Sequence, residues 1–445
     1  MLVNVLEPEQ GVMLDPACGS GGMFVQTGDF VNAAGMNANT QMTFFGQEKV
    51  EYNAQLCLMN MAVHGLNGRI VSGDEANSFY HDAFNLAGKC DYVIANPPFN
   101  VDKVKSESAF SAGRLPFGLP GVNAKTKEVG NANYLWINYF YAYLNERGRA
   151  GFVMASSATD SSNKDRDIRE QLIKTGHVDV MVSVGNNFFY TLSLPCSLWF
   201  FDKAKREENR DKVLFIDARK YYTVVDRTLN EWTEWQLLNL QAIVHLYRGE
   251  TDKYQALLEK YNHDISEAVN SISEEALSFV SFLDDETANQ FNSSLAWLSS
   301  PWNNYDELSK NLNGQIEQTK SCVKLAEERL KKRELKKSMR LAGDKFCKVL
   351  EEILTIIEEH EWLTGKFGKG KYNDIAGLCK IATLDEIEEK NYSLTPGAYV
   401  GVPEAEDDGV DFHERMNEIH AELAKLHEEA NVLMKEILND WETLK

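Results

Sequence analysis

Near the start of the chain, four short apolar runs each end on a side chain able to hold a ligand. Residues 12–14 run into Asp15, residues 43–45 into Gly46-Gln47-Glu48, residues 69–71 into Ser72-Gly73-Asp74, and residues 91–95 into Asn96. Short apolar runs bounded by turn residues read as buried strands. Polar residues repeated in order at their carboxyl ends point to the crevice where open α/β sheets bind ligands. The pattern predicts a doubly wound, Rossmann-like α/β sheet. Its first crossover is Asp15-Pro16-Ala17-Cys18-Gly19-Ser20-Gly21-Gly22, followed by Met23-Phe24-Val25, which begin a helix.

Glycines at such a turn let backbone N–H groups come within contact distance of a nucleoside-bearing ligand, because no Cβ obstructs the approach. A dinucleotide fingerprint needs a third small residue two places after Gly22, where Phe24 stands, so the NAD reading weakens. No lysine lies in the loop, which excludes a phosphate-cradling P-loop. A nucleoside cofactor without phosphate remains, and S-adenosylmethionine fits. A ligand-free tight turn stays open as an alternative for the loop taken alone. Glu48, after the second strand, sits where a carboxylate accepts from both ribose hydroxyls, although farther from the loop than the usual ~20 residues. Asp74, after the third, is suited to accept from an adenine amino group. Taken singly, each acid reads first as a solvated loop charge; both at strand ends, in order, favour the ligand crevice.

The fourth strand delivers Asn96-Pro97-Pro98-Phe99 to the same edge. An exocyclic amine on an aromatic ring is a poor nucleophile because its lone pair is delocalised. Accepting its protons, at the Asn96 side-chain oxygen and the Pro97 carbonyl, localises that pair. Prolines fix φ and bring no competing N–H. Phe99 offers a face for a flat group extruded from a stack. The chemistry needs no metal and no nucleophilic Ser, Cys or His. A rigid turn without function is the alternative reading of Asn-Pro-Pro.

Residues 11–217 resemble the methylation subunit of type I restriction-modification systems, within the N6-adenine DNA methyltransferases, whose motifs run Asp-Pro-x-x-Gly-x-Gly-Gly and Asn-Pro-Pro-Phe. Further matching segments are Gly130-Asn131-Ala132-Asn133-Tyr134-Leu135-Trp136, residues 151–154 and 213–219, and Tyr392-Ser393-Leu394-Thr395-Pro396 with Tyr399. The resemblance implies that Asp15, Ala17, Cys18, Gly19, Ser20, Gly21 and Glu48 hold S-adenosylmethionine and Asp74 its adenine. It implies that Asn96, Pro97, Pro98 and Phe99 take a flipped adenine. Implied partners are double-stranded DNA, a specificity subunit, a restriction subunit and a second copy of the chain. Family members place a helical domain and a Thr-Pro-Arg segment ahead of the first motif, whereas Asp15 stands almost at the start here. The chain is expected to lack that domain and part of the cofactor site.

Composition bears on partners. At 445 residues and 43% hydrophobic content, the chain can bury one large or two moderate cores. No apolar run of ~18 residues marks a membrane span, and no signal peptide is evident. Seven irregularly spaced cysteines suit reduced thiols in a cytoplasm, and Cys18 reads as a small filler in its loop. The histidines show no metal-ligand spacing. A net charge of −21 opposes unaided DNA binding, so DNA grip is expected to be delegated. Lys103, Lys105, Arg114, Lys125 and Lys127, in the loop after Phe99, suit either DNA phosphates or solvent.

Past Asp217 the periodicity changes. Leu308, Leu312, Ile316, Val323 and Leu330 recur at helical spacing, and the basic run from Lys331 to Arg340 reads first as a solvated helix face, with a DNA-backbone contact as the alternative. Residues 365–370 read as a linker. Phe412, Met416, Ile419, Leu423, Leu426, Ala430, Leu433, Ile437, Trp441 and Leu444 form a near-heptad stripe, which either folds back or docks on another subunit. The expected division is a methyltransferase domain at 1–227, a helical region at 228–370 and a C-terminal segment with a partner-binding helix at 371–445. The expected activity is methyl transfer to N6 of adenine in duplex DNA. Alternatives are glutamine N5 or RNA-base methylation at the same Asn-Pro-Pro-aromatic site, and a non-catalytic scaffold.

Overall fold

The structure is a computed structural model and describes residues 1–189, 194–299, 302, 304–403 and 412–443. Nine described strands form one sheet. They are β1 (Gly11–Asp15), β2 (Met42–Glu48), β3 (Gly68–Ser72), β4 (Cys90–Ala95), β5 (Leu144–Ala155), β6 (Val178–Val184), β7 (Cys196–Asp202), β8 (Lys212–Asp217) and β9 (Cys379–Thr383). The order across the sheet is β9-β8-β6-β7-β5-β4-β1-β2-β3. Pairing is parallel from β3 through β5 and between β6 and β8, while β7 and β9 run antiparallel to their neighbours. From β1 the chain winds outward to β3 and then returns to β4 on the other side of β1. That reversal opens a crevice at the carboxyl ends of β1 and β4.

Strand alternation divides the core in two. On β7, Leu198 and Phe200 face a cluster that includes helices α1 (Leu2–Leu6), α2 (Gly22–Ala33) and α3 (Glu51–Val63). Trp199 and Phe201 face the opposite cluster, with α4 (Asn133–Tyr143) and α5 (Lys164–Lys174). Trp199 is fully buried and stacks on Phe152 at 6.0 Å; its truncation to Ala costs about 3–5 kcal/mol.

Helix α6 (Glu234–Tyr247) starts on a capping box between Thr233 and Gln236 and packs on the first cluster. It is also tied to α1. His245 lies 3.4 Å from Glu7 and 2.7 Å from Glu250, and Lys253 bridges both carboxylates at 2.5 and 3.1 Å. The helices α7 (Thr251–Val280), α8 (Tyr305–Arg329) and α9 (Arg333–Phe367) then build a bundle with its own core, including Ile265, Leu312 and Phe346. Leu308, Leu312 and Ile316 are buried there, as their spacing predicts.

Two stretches differ from the sequence reading. Residues 365–370 are fastened to α7, where Tyr254 Oη donates to the Gly368 carbonyl at 2.9 Å and Gln255 Nε2 to the Lys369 carbonyl at 2.8 Å. Residues 379–401 belong with the sheet rather than with a separate tail. β9 extends the sheet beside β8, Tyr399 stacks on Phe215 at 3.9 Å, and the Leu394 N–H donates to the Thr159 carbonyl at 2.8 Å. The compact unit therefore runs from Met1 to Gly401, and Val402–Lys445 forms a second. In that second unit, α10 (Phe412–Thr443) exposes Met416, Ile419, Leu423, Leu426, Leu433 and Ile437. Leu444 lies outside the described residues.

Candidate functional site

The β1–α2 loop is built by hydrogen bonds its own sequence supplies. Asp15, at the end of β1, accepts from the Ala17 N–H at 3.0 Å. Burial pushes the Asp15 carboxyl up to about 7; the Ala17 amide opposes the shift and the Glu48 charge adds to it. The Cys18 N–H donates to the Gln47 carbonyl at 3.1 Å. Glu48 ends β2 with both oxygens engaged, one accepting from Gly19 N–H at 3.0 Å and the other from Val50 N–H at 2.8 Å. The acid that closes the second strand thus holds the glycine loop of the first. Gly21 has φ +82°, and a Cβ there would lie 2.7 Å from Cys57 Sγ, so α3 leaves room for glycine alone. Contact with Cys57 and then burial push the Cys18 thiol far up, so it is an inert filler.

Beside this loop lies a cavity of about 340 Å³, lined among others by Pro16, Ala17, Glu48, Phe79, Pro98 and Trp136. Its floor depends on a residue that sequence reasoning missed. Gln47 is fully buried; its Nε2 donates to Ser78 Oγ at 3.0 Å and to the His81 carbonyl at 3.2 Å, and its oxygen accepts from Ala83 N–H at 3.2 Å. Ser78 Oγ in turn donates to the Pro16 carbonyl at 2.5 Å. A polar side chain inside an apolar strand, one residue before Glu48, was the available signal. Asp74 is exposed, starts the short turn Asp74–Ala76 and does not line the cavity; Asn77 does.

Asn96, Pro97, Pro98 and Phe99 leave β4 at the switch point. Pro98 lines the first cavity, whereas Asn96 lines a second of about 220 Å³ with Met23, Phe188, Phe189 and Trp232. The motif is the partition between the two. Phe99 meets Phe189 edge-on at 6.5 Å, and Phe188 packs on Trp232 at 4.8 Å. These last three aromatics follow β6 or precede α6, too far from Asn96 in sequence for spacing to connect them. Asn100, with φ +54°, fixes the exit of the motif. Its N–H donates to Asn133 Oδ1 at 2.9 Å, and its side-chain oxygen accepts from Asn133 Nδ2 at 2.9 Å and Asn131 Nδ2 at 3.0 Å. The segment 130–136 is therefore the clamp behind the Asn-Pro-Pro-Phe turn.

The basic loop after Phe99 divides. Lys103 lines the first cavity, and Lys105, Lys125 and Lys127 are exposed. Arg114 turns inward instead, donating to Tyr143 Oη at 2.6 Å and lying 4.5 Å over the Tyr139 ring, where α4 offers a polar tip and an aromatic face.

Fold and site together define a doubly wound α/β protein with a nucleoside-sized crevice beside an amide-and-proline partition. Residues 1–285 match the family model described as N-6 DNA methylase, and the chain belongs to that family. It is 28% identical over 447 residues to the methylase subunit of the type I restriction enzyme MjaIX of Methanocaldococcus jannaschii, covering 99% of this chain and 57% of that one. With the HindI methylase subunit of Haemophilus influenzae it shares 26% over 438 residues, covering 98% of this chain and 69% of that one. The chain thus spans little more than half the length of the first relative and about two thirds of the second. The crystal structure of the type I restriction-modification methyltransferase subunit from Streptococcus thermophilus is 23% identical and superimposes with a TM-score of 0.48, covering 56% of this chain and 51% of that one.

Proposed function

We propose that this chain transfers a methyl group from S-adenosylmethionine to N6 of adenine in double-stranded DNA, as the modification subunit of a type I restriction-modification complex. The observation that carries the reading is that Pro98 lines a cavity at the glycine loop while Asn96, two residues before it, lines an aromatic-walled one. The cofactor fits the first: Pro16 and Ala17 of the glycine loop line it together with Glu48, and no lysine of a phosphate cradle lies in the loop. When bound, the cofactor supplies an electrophilic sulfonium methyl.

This chain's residues do the rest. Asn96 Oδ1 and the Pro97 carbonyl accept hydrogen bonds from the two N–H groups of the adenine amine, which localises its lone pair for attack, and the proton N6 sheds on methylation leaves to solvent. Pro97 and Pro98 hold those acceptors with fixed φ and bring no competing donor. Phe99, Phe188, Phe189 and Trp232 give a base lifted from the duplex the flat apolar faces it loses on unstacking. The Asn100–Asn133 pair keeps the turn in register.

Sequence recognition and most of the DNA grip fall to a specificity subunit, with a restriction subunit completing the complex, which accommodates the −21 charge. The test is a modified-base map of source cells with and without the gene. Loss of N6-methyladenine at one bipartite motif is the expected result. An unchanged map rejects the DNA reading and directs assays to glutamine and RNA substrates.

A further inference from the structure

We propose that the tip of the α8–α9 hairpin holds the phosphate backbone of duplex DNA through Lys331, Lys332, Arg333, Lys336 and Lys337. The inference rests on duplex DNA being the substrate and adds a contact surface within this chain. The hairpin is an arm rooted beside the sheet, where Trp362 stacks on Tyr221, just past β8, at 4.0 Å and Gln236 Nε2 of α6 donates to Glu359 at 3.0 Å. From Arg333 at the tip to Trp362 at that root, α9 spans about 44 Å.

Residues 329–340 hold Arg329, Lys331, Lys332, Arg333, Lys336, Lys337 and Arg340 against one acid, Glu334, within a chain of net charge −21. Arg329 is engaged by Asp284 at 2.6 Å, and Arg340 by Glu327. The other five have no ion pair among the described residues; Lys336 is half-buried and the rest are exposed. Arg333 and Lys337 stand four apart on α9, with Lys332 at its N-cap, while Met339 and Phe346 face the bundle core. Like charges at that spacing repel and destabilise the helix. They contribute nothing to the core, so a polyanion is the partner that turns the repulsion into attraction. Each phosphate neutralised releases condensed counterions, a gain the acidic remainder of the chain cannot collect.

The experiment uses the full chain copurified with its co-expressed specificity subunit, and a fluorescent duplex titrated at several potassium chloride concentrations. The variant carries Lys331→Ala, Lys332→Ala, Arg333→Ala, Lys336→Ala and Lys337→Ala. A second carries only Lys336→Glu and Lys337→Glu, and a control carries Lys220→Ala, Lys310→Ala and Lys369→Ala at exposed positions elsewhere. Circular dichroism confirms that each is folded. The expected result is that the five-fold variant binds more weakly, with a slope of log affinity against log salt shallower by about 3–4. The charge-reversed pair weakens binding too, and the control matches wild type. Unchanged affinity and slope overturn the proposal, as does a wild-type complex that binds no duplex. Loss of an acidic protein partner with DNA binding intact overturns it in favour of a protein contact. Methylation is scored separately by the modified-base map, so either reading can fail alone.

Discussion

At the scale of single residues, Asp15 is the most exposed to a pH test. A carboxyl held at about 7 by burial is protonated in the folded chain over a range where the unfolded chain, near 3.8, is ionised. Unfolding therefore releases a proton. Stability from this group is fully present below pH ~4 and falls as pH rises toward 7, by at most about 4 kcal/mol. Asp15→Asn keeps an oxygen for the Ala17 N–H and removes the titration. Melting curves should show the variant gaining on wild type between pH 5 and 8; a constant difference would contradict the burial argument. Gly21→Ala places a Cβ at φ +82° and 2.7 Å from Cys57 Sγ. It should cost about 1–3 kcal/mol in urea denaturation and weaken cofactor binding in calorimetry. Asn96→Ala, at an exposed position, should leave the fold and cofactor affinity unchanged while lowering kcat about 100-fold or more. Loss of cofactor binding in that variant would move Asn96 from the transferring group to the cofactor.

Elements act by what they hold behind the reacting residues. Residue 133 opens α4 and is nearly buried, yet its amide is spent on Asn100 rather than on the helix. Asn133→Ala removes two hydrogen bonds, each worth about 0.5–1.5 kcal/mol, from a turn whose next residue has φ above zero. It should reduce kcat about tenfold with cofactor affinity intact, and Asn133→Asp, which keeps only the acceptor, should fall between. Equal losses in kcat and cofactor binding would show that the clamp supports the fold at large. The strands carrying the site were legible because each is a short apolar run cut off by turn residues, and a one-residue slip would reverse its faces. β9 was not legible: Cys-Lys-Ile-Ala-Thr is short and mixed, and its identity as a strand comes from pairing with β8 more than 160 residues away. Gln47 hid for a related reason. A buried glutamine reads as an ordinary polar residue until the loops it bonds, 29 to 36 residues downstream, are folded over it. The second cavity draws on Met23, Phe189 and Trp232, which only the closed sheet brings to Asn96.

At the scale of the whole molecule, the unit from Met1 to Gly401 contains the sheet, both sheet-flanking cores, the three-helix arm and every candidate site residue. The unit from Val402 onward contains one long helix with an apolar stripe at steps of three and four. Leu423, Leu426, Leu433 and Ile437 are each more than half exposed, a cost in water of apolar area left unburied. A helix of that pattern recovers the cost by packing into a groove or against another helix. In the proposed complex, the partner assigned to it is the specificity subunit, to which sequence recognition also falls. A chain ending at Gly401 should then melt like the full chain and bind cofactor equally, but fail to copurify with a co-expressed specificity subunit. Leu423→Glu with Leu426→Glu in the full chain should have the same effect. Retained copurification in both would place the subunit contact on the sheet domain or the arm, whereas a lowered melting temperature in the shortened chain would show that the helix stabilises its own molecule.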